Sequence, residues 1–255
     1  MLWYKSWLET RWRFVIGLVL LMFSAASTVF TYPEVIKLIS GMPNPDLSGA
    51  LGRRVSETLA LARDYRGYVW SQWFRQNLIQ MWGIFAVLLG TGGLVSQASG
   101  GGAIFTLSLP ASRNRLLGVR AATGLAELLV LAIVPPLLVP AFSGAIGERY
   151  AVSDALVHGA CMFIAGTMFF SLAFLLSTVF ADVWRPALIV FCVAVALGLS
   201  DLVLRDLPLF SVVRLMSGET YFRTGSWPWP GLFASMVVSS ALLYGASRNI
   251  ARRDF

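Results

Sequence analysis

Very few side chains in this chain of 255 residues could perform chemistry. Its single histidine, His158, and its two cysteines, Cys161 and Cys192, lie in or beside long apolar runs. One histidine and two scattered cysteines cannot supply a zinc site, and no motif around His158 indicates a Ser-His-Asp triad. The sequence therefore predicts no catalytic, metal-binding or cofactor-binding residues, and these three side chains are interpreted as buried or interfacial.

The sequence also contains no motif for nucleotide hydrolysis. A P-loop places a lysine against the β- and γ-phosphates, directly after a glycine-rich turn. The only lysines are Lys5 and Lys37, and the glycine run at residues 100–102 is not followed by Gly-Lys-Ser/Thr. The chain is therefore predicted not to be an ATPase, and we expect no enzyme activity from it.

Glu127 is a carboxylate inside a long apolar run, about two helical turns after Arg120. A carboxylate within a membrane indicates a functional site by default. Alternatively, Glu127 lies at the depth of the lipid headgroups and pairs with Arg120. A further alternative makes Glu127 and His158 the acid and base of an intramembrane enzyme, which would require both groups in one water-filled cavity.

Composition places the chain in a lipid bilayer. Hydrophobic residues make up 57% of it and charged residues only 13%, whereas soluble domains contain about 25% charged residues. The formal charge is +7, but the basic residues form short clusters between apolar runs, without the basic stripe and stacking aromatics of a nucleic-acid surface. Lipid headgroups or the acidic surface of a partner protein are therefore the expected counterparts, and nucleic acid is not.

Six stretches approach the roughly 20 apolar residues that a transmembrane helix needs. They are residues 14–32, 78–97, 123–146, 156–181, 186–204 and 231–247. The fourth and fifth are separated only by residues 182–185, which predicts a tight helical hairpin. No linker or internal repeat divides the chain, so residues 1–255 are predicted to form one all-α integral membrane domain.

Several features near the ends of these segments have their own interpretation. Pro135, Pro136 and Pro140 are expected to kink the third segment or to begin a re-entrant turn. Asp201, near the end of the fifth segment, is expected to be solvated. The Trp-Pro-Trp-Pro sequence at residues 227–230 is typical of an aromatic anchor at the membrane interface.

The first residues of the chain have an amphipathic pattern. Aromatic residues recur at helical spacing on one side and charged residues on the other: Trp3, Tyr4, Trp7 and Trp12 against Lys5, Glu9 and Arg13. A helix of this kind lies in the interface with its indole rings at headgroup depth. We therefore predict an N-terminal elbow helix, with these interfacial residues: Trp3, Trp7, Glu9, Arg11 and Trp12.

The long connection before the second segment has a weaker pattern of the same kind. Apolar residues recur every four positions at Leu47, Leu51, Val55 and Leu59. This spacing predicts an amphipathic helix resting on the outer face of the membrane. Lys and Arg are equal in number on the two sides but denser on the side with the termini, which favours cytoplasmic termini in an inner (cytoplasmic) membrane.

The connection between the second and third segments carries the most informative motif. Ile-Phe-Thr-Leu at residues 104–107 is followed by Ser-Leu-Pro-Ala-Ser-Arg at residues 108–113. This resembles the type-2 ATP-binding-cassette (ABC) exporter permeases, in which Leu-Ser-Leu-Pro-x-Ser-Arg follows the second span. Trp-Leu-Glu-Thr-Arg at residues 7–11 and Arg-Arg-Asp at residues 252–254 also resemble that family, so the resemblance extends along the whole chain.

The resemblance implies a mechanism as well as a fold. Such permeases have six spans, form homodimers or heterodimers, and dock a separate cytosolic ABC ATPase subunit through a coupling helix after the second span. ATP would bind to that partner, so this chain needs no cofactor of its own. By match to the motif, the coupling segment contains Gln97, Gly102, Ile104, Phe105, Leu107, Leu109, Pro110 and Arg113.

The function implied is export of an unidentified substrate, driven by the partner ATPase. The alternatives are a membrane scaffold, an assembly factor with the same fold, or a secondary transporter, none of which uses an ABC ATPase. Inverted repeats would favour a secondary transporter, and none is evident.

Overall fold

The long apolar runs form α-helix, because a backbone in lipid must satisfy its own hydrogen bonds. A computed structural model describes residues 2–40, 50–92, 113–203 and 211–252. Within those ranges every regular element is helical and no strand occurs, which confirms the all-α prediction. The α-helices are α1 (Leu2–Ser40), α2 (Ala50–Arg63), α3 (Tyr65–Val69), α4 (Ile79–Gly90), α5 (Arg113–Ser143), α6 (Val152–Ser177), α7 (Trp184–Val203), α8 (Val212–Ser217), α9 (Glu219–Thr224) and α10 (Trp229–Ala251).

Five of these helices, α1, α5, α6, α7 and α10, are long and apolar enough to cross a membrane. The chain is therefore a multi-pass membrane protein, with spans at five of the six predicted positions. The predicted second span, residues 78–97, is not confirmed. Its described part is the 12-residue helix α4, which ends where Thr91 becomes extended and which follows a π-helix, Trp70–Leu78, rich in polar residues.

Helix α1 is unbroken over 39 residues, so the structure has no separate elbow helix. The reason is local: no glycine or proline interrupts the chain before Gly17. The aromatic residues Trp3, Tyr4, Trp7 and Trp12 are exposed. Ser6 and Thr10 are buried, and Thr10 contacts Glu127 of α5.

Side-chain contacts give the directions of the helices. Thr10 and Phe30 of α1 contact Glu127 and Phe142 of α5, so these two helices run parallel. Helix α4 runs antiparallel to α1, since Arg13 bonds to the carbonyl of Leu88 whereas Gly17, one turn further along α1, lies against the ring of Phe85. We call the end with the first turns of α1 and α5 and the last turn of α4 the proximal end. The other end, which holds α3, α8 and α9, is the distal end.

Helix α6 lies at the centre of the bundle and packs through small residues. Gly166 is in direct contact with the Trp82 ring of α4. The Trp82 indole N–H donates to the carbonyl of Leu128 in α5 at 3.2 Å, and so joins three helices. Helix α10 runs beside α6, and the Asn249 amide donates to the carbonyl and hydroxyl oxygens of Thr178 at 3.1 and 2.9 Å.

The prolines of α5 do not end that helix, and the expected re-entrant turn is not formed. Pro135, Pro136 and Pro140 all lie inside α5, which continues to Ser143 before a short 3-10 turn. Neighbouring helices stabilise this proline-rich stretch: Gly159 of α6 is in direct contact with the carbonyl oxygen of Ala132. The predicted tight hairpin is present, since α6 ends at Ser177 and α7 begins at Trp184.

One smaller prediction is corrected. Asp201 is not solvated, because its carboxylate pairs with the Arg214 guanidinium at 2.8 Å and its side chain is only 19% exposed. Helix α2 is present at the predicted place, and Val55 on its predicted apolar face is exposed. Its location on the outer face of the membrane stays a prediction. Leu47 lies outside the described residues. The aromatic anchor contains a stacked pair, Trp227 and Trp229, with ring centroids 5.3 Å apart.

Candidate functional site

The last turn of α4 is capped by arginines from two other helices. The Arg13 guanidinium of α1 donates to the carbonyl oxygens of Leu88 at 2.7 Å and Thr91 at 3.3 Å. Arg120 of α5 donates to the same Thr91 carbonyl at 3.3 Å. The final carbonyls of a helix have no intrahelical donor and carry partial negative charge, so two guanidinium groups stabilise this end.

Two acidic residues balance these arginines. Arg120 forms an ion pair with Glu9 at 2.9 Å, and the two side chains are only 10% and 29% exposed. The Thr10 hydroxyl donates to Glu127 at 2.6 Å across the same α1–α5 contact. We call Glu9, Thr10, Arg13, Arg120 and Glu127 the arginine layer. It joins α1, α4 and α5 at one level of the bundle.

Glu127 is a buried group within this layer. The residue is 5% exposed, and one carboxylate oxygen, Oε1, accepts the Thr10 hydrogen bond. The other, Oε2, has no hydrogen-bond partner among the described residues. Arg120 pairs with Glu9 instead of with Glu127, so the expected Glu127–Arg120 pair is not the contact that forms.

The arginine layer stands where the chain leaves α4 toward the predicted coupling segment. Gly92 has a φ of +87°, which glycine adopts without strain, and its Cα faces the Arg120 guanidinium. The segment after it, residues 93–112, lies outside the described residues and includes Gln97, Gly102, Ile104, Phe105, Leu107, Leu109 and Pro110. Arg113 begins α5, and its side chain also lies outside the described part.

No protein-family model, curated protein or solved structure matches this chain. Its function is therefore argued from the geometry and from the motif in its own sequence.

The structure separates the predicted elbow residues into two groups. Glu9 joins the arginine layer, whereas the Trp3, Trp7 and Trp12 side chains are exposed. Arg11 lies near the second group, with its guanidinium 5.5 Å from the centroid of the Trp12 ring. Sequence reasoning placed Arg13 on the charged side of the first residues but missed Thr10, Arg13 and Arg120 as members of one cluster, because Arg120 belongs to another helix, α5.

A second polar cluster lies at the distal end. Asp154, at the start of α6, pairs with Arg66 of α3 at 2.8 Å and accepts the Tyr221 hydroxyl of α9 at 3.2 Å. Burial raises the pKa of Tyr221, and the nearby Asp154 carboxylate raises it further. Tyr221 therefore stays protonated and continues to donate, which ties α9 to α3 and α6.

His158 belongs to this distal cluster and not to the arginine layer. The ring is fully buried, and its Nδ1 lies 3.0 Å from the carbonyl oxygen of Ser217 in α8. The same carbonyl accepts the Trp70 indole N–H at 3.1 Å. Glu127 and His158 thus contact different sets of residues, and the structure does not bring them together as an acid–base pair. Among the described residues, no group of three or more His, Cys, Asp or Glu could hold a metal ion.

Proposed function

We propose that the chain is the membrane-spanning permease subunit of an ABC exporter. A separate cytosolic ATPase subunit would bind and hydrolyse ATP and dock on the coupling segment, residues 97–113. The proximal end would then face the cytoplasm, with both termini on that side of an inner membrane. Two permease subunits, alike or different, would form the transporter.

The arginine layer is the observation that carries this proposal. It links α1, the end of α4 before the coupling segment, and α5 about two turns after that segment. A charge-assisted hydrogen bond is stronger and shorter than a neutral one, so this junction resists local distortion. A force applied to the segment would consequently move three helices as one unit, which is what an ATP-driven permease requires.

A sixth crossing follows from the same proposal. Helix α3, the π-helix and α4 form one continuous helical path from Tyr65 to Gly90, although α4 alone is too short to span. Tyr32 contacts Tyr65 and Tyr68 at the distal end, and Arg13 contacts Leu88 at the proximal end. The path therefore extends beside α1 from Arg13 to Tyr32, about half of that helix, as a membrane-crossing segment would.

Photo-crosslinking tests the partner. Benzoylphenylalanine placed at Phe105, in a chain expressed in its own membrane, should form an adduct with a protein that mass spectrometry shows to contain a P-loop. The additional change Leu109→Asp should abolish that adduct while the amount of chain in the membrane stays constant. The matched control carries the same photoreactive residue at Trp229, which is exposed at the distal end.

The proposal predicts no ATPase adduct from the Trp229 position. The ABC assignment would be rejected if no ATPase adduct formed at Phe105, or if the yield of adduct were the same from Phe105 and from Trp229. Absence would favour the scaffold, assembly-factor or secondary-transporter alternatives.

Cysteine labelling tests the orientation. In a chain with Cys161→Ala and Cys192→Ala, a single cysteine is introduced either by Ser108→Cys in the coupling segment or by Ser56→Cys in α2. A membrane-impermeant maleimide should label Ser56→Cys on intact cells, and Ser108→Cys only after the membrane is opened. The reverse pattern would place the coupling segment outside the cell and exclude contact with a cytosolic ATPase.

A further inference from the structure

A cavity of about 520 Å³ lies between α4, α6, α7 and α8, and its lining is apolar except at one end. Its volume falls in the range of roughly 300–1,000 Å³ that is typical of small-molecule sites. The residues that matter for its chemistry are Arg75, Gln80, Gly83, Phe191, Gly198 and Met216. From Arg75 to Val87 the lining follows the π-helix and α4 for roughly 18 Å at the usual rise per residue.

Two glycines leave this cavity open. A Cβ atom added at Gly83 of α4 or at Gly198 of α7 would have no atom within 4 Å. Most glycines in the interior of the bundle differ, since Gly90, Gly159 and Gly166 are in tight contact with a neighbouring helix. Gly83 and Gly198 therefore widen the space between α4 and α7 without serving helix packing.

Arg75 is held in place at the polar end by an aromatic platform. Its guanidinium lies 5.5 Å from the centroid of the Trp70 ring. Trp70 is fully buried, and Phe222 stacks on it with centroids 4.3 Å apart and planes 4° from parallel. A guanidinium stacked on a fixed ring keeps its N–H edges available for a bidentate acceptor.

The charges around Arg75 favour an anionic ligand. No described carboxylate forms an ion pair with Arg75, whereas Arg66 and Arg214 nearby pair with Asp154 and Asp201. Arg75 is exposed, and it precedes the apolar part of α4 by about one turn. Its charge is therefore at the mouth of the cavity, with apolar lining beyond it.

We propose that this cavity binds a single-chain anionic amphiphile, with its carboxylate or phosphate on Arg75 and its alkyl chain along α4 and α7. The volume fits one chain, and the single guanidinium fits one acidic headgroup. The inference rests on the proposed function, in which such a molecule would be the exported substrate. Binding itself, however, requires only this chain.

Photolabelling measures that binding directly. The purified chain, in nanodiscs of phosphatidylcholine, is irradiated with a diazirine analogue of palmitic acid, and labelled residues are found by mass spectrometry. Label should concentrate in residues 79–87 and 191–198, and lauric acid should displace it whereas methyl laurate should not. Arg75→Gln should reduce the labelling about tenfold, since a charge-assisted hydrogen bond to the headgroup is lost, and Arg75→Lys should restore part of it.

Cavity-filling variants provide a test that does not involve charge. Gly198→Leu should abolish the label, because the new side chain occupies open space between α7 and α4. The matched control is Gly118→Leu, where a Cβ also meets nothing within 4 Å but the residue is exposed on α5 and does not line the cavity. That variant should label as the unchanged chain does.

Three results would overturn the inference: equal labelling in Arg75→Gln, equal labelling in Gly198→Leu, or equal competition by methyl laurate. Label spread along the exposed faces of α1 and α10 would likewise indicate ordinary lipid contact. The crosslinking at Phe105 is independent of these results. An ATPase adduct without Arg75-dependent labelling refutes only the cavity, and labelling without an adduct refutes only the ABC function.

Discussion

Gly159 of α6 lies against the carbonyl oxygen of Ala132 in α5. In an uninterrupted helix that carbonyl would accept the N–H of residue 136, but residue 136 is a proline and has no N–H. The glycine Cα–H groups therefore approach an acceptor that its own helix cannot satisfy. Because no side chain intervenes, α5 and α6 pack closely at the level where the prolines would otherwise weaken α5.

The change Gly159→Ala should destabilise the protein by about 1–3 kcal/mol, because a Cβ would collide with a backbone atom that cannot move independently. Thermal unfolding in detergent micelles measures this. The control is Gly118→Ala, at an exposed position of α5, which should instead stabilise the protein by roughly 0.5–1 kcal/mol because alanine has the higher helix propensity. A Gly159→Ala protein as stable as the original would contradict the close approach.

Removal of Arg120 should loosen the arginine layer. Arg120→Ala leaves Glu9 without its ion pair and removes one donor from the Thr91 carbonyl, at an expected cost of about 2 kcal/mol. A double-mutant cycle with Glu9→Gln should give a coupling of about 1 kcal/mol.

The matched control for that cycle is Arg185→Ala. Arg185 pairs with Asp182 at 3.2 Å, but both side chains are well exposed, so the loss should stay below about 1 kcal/mol. Equal losses for Arg120→Ala and Arg185→Ala would show that the arginine layer has no special stability.

Glu127→Gln should make the fold at least as stable as the original, by up to about 1 kcal/mol. The buried carboxylate has one oxygen without a described partner, and an amide removes the charge yet keeps an oxygen for the Thr10 hydroxyl. Thr10→Val should instead lower the free energy of unfolding by about 1–2 kcal/mol, because it removes the donor and leaves the charge. Unfolding of Glu127→Gln at a lower temperature than the original would mean that the charge is needed for stability.

Substitutions at two glycines next to α9 distinguish the effect of backbone strain from the effect of a steric clash. Gly218 and Gly225 have φ values of +62° and +72°, so alanine at either position should cost about 1 kcal/mol or more. At Gly218 a Cβ would also lie 2.6 Å from Nδ1 of His158, whereas at Gly225 it would meet nothing within 4 Å.

Gly218→Ala should consequently be the more harmful change, and it should expose α8 and α9 to hydrogen–deuterium exchange by displacing the His158–Ser217 contact. Gly225→Ala should leave the exchange of α8 unchanged. Identical exchange in the two variants would mean that His158 does not hold α8 in place.

Much of the architecture is a local property of the sequence. The apolar runs determined five membrane-crossing helices, and Trp3, Trp7 and Trp12, predicted to be interfacial, are exposed. Hydropathy and helical periodicity depend on residues within a few turns of one another, so a sequence contains them completely. The coupling motif is also local, and its role stays a prediction because it lies outside the described residues.

Tertiary packing decided the rest. Thr10 and Glu127 are 117 positions apart, and only the parallel packing of α1 on α5 brings their oxygens within 2.6 Å. Packing also decided that α5 continues through its prolines, because Gly159 reaches the unsatisfied carbonyl of Ala132. Which polar groups come into contact depends on the direction of each helix and on its rotation about its own axis. Each apolar run is compatible with several directions and rotations, and the summed contacts of all the helices select one arrangement.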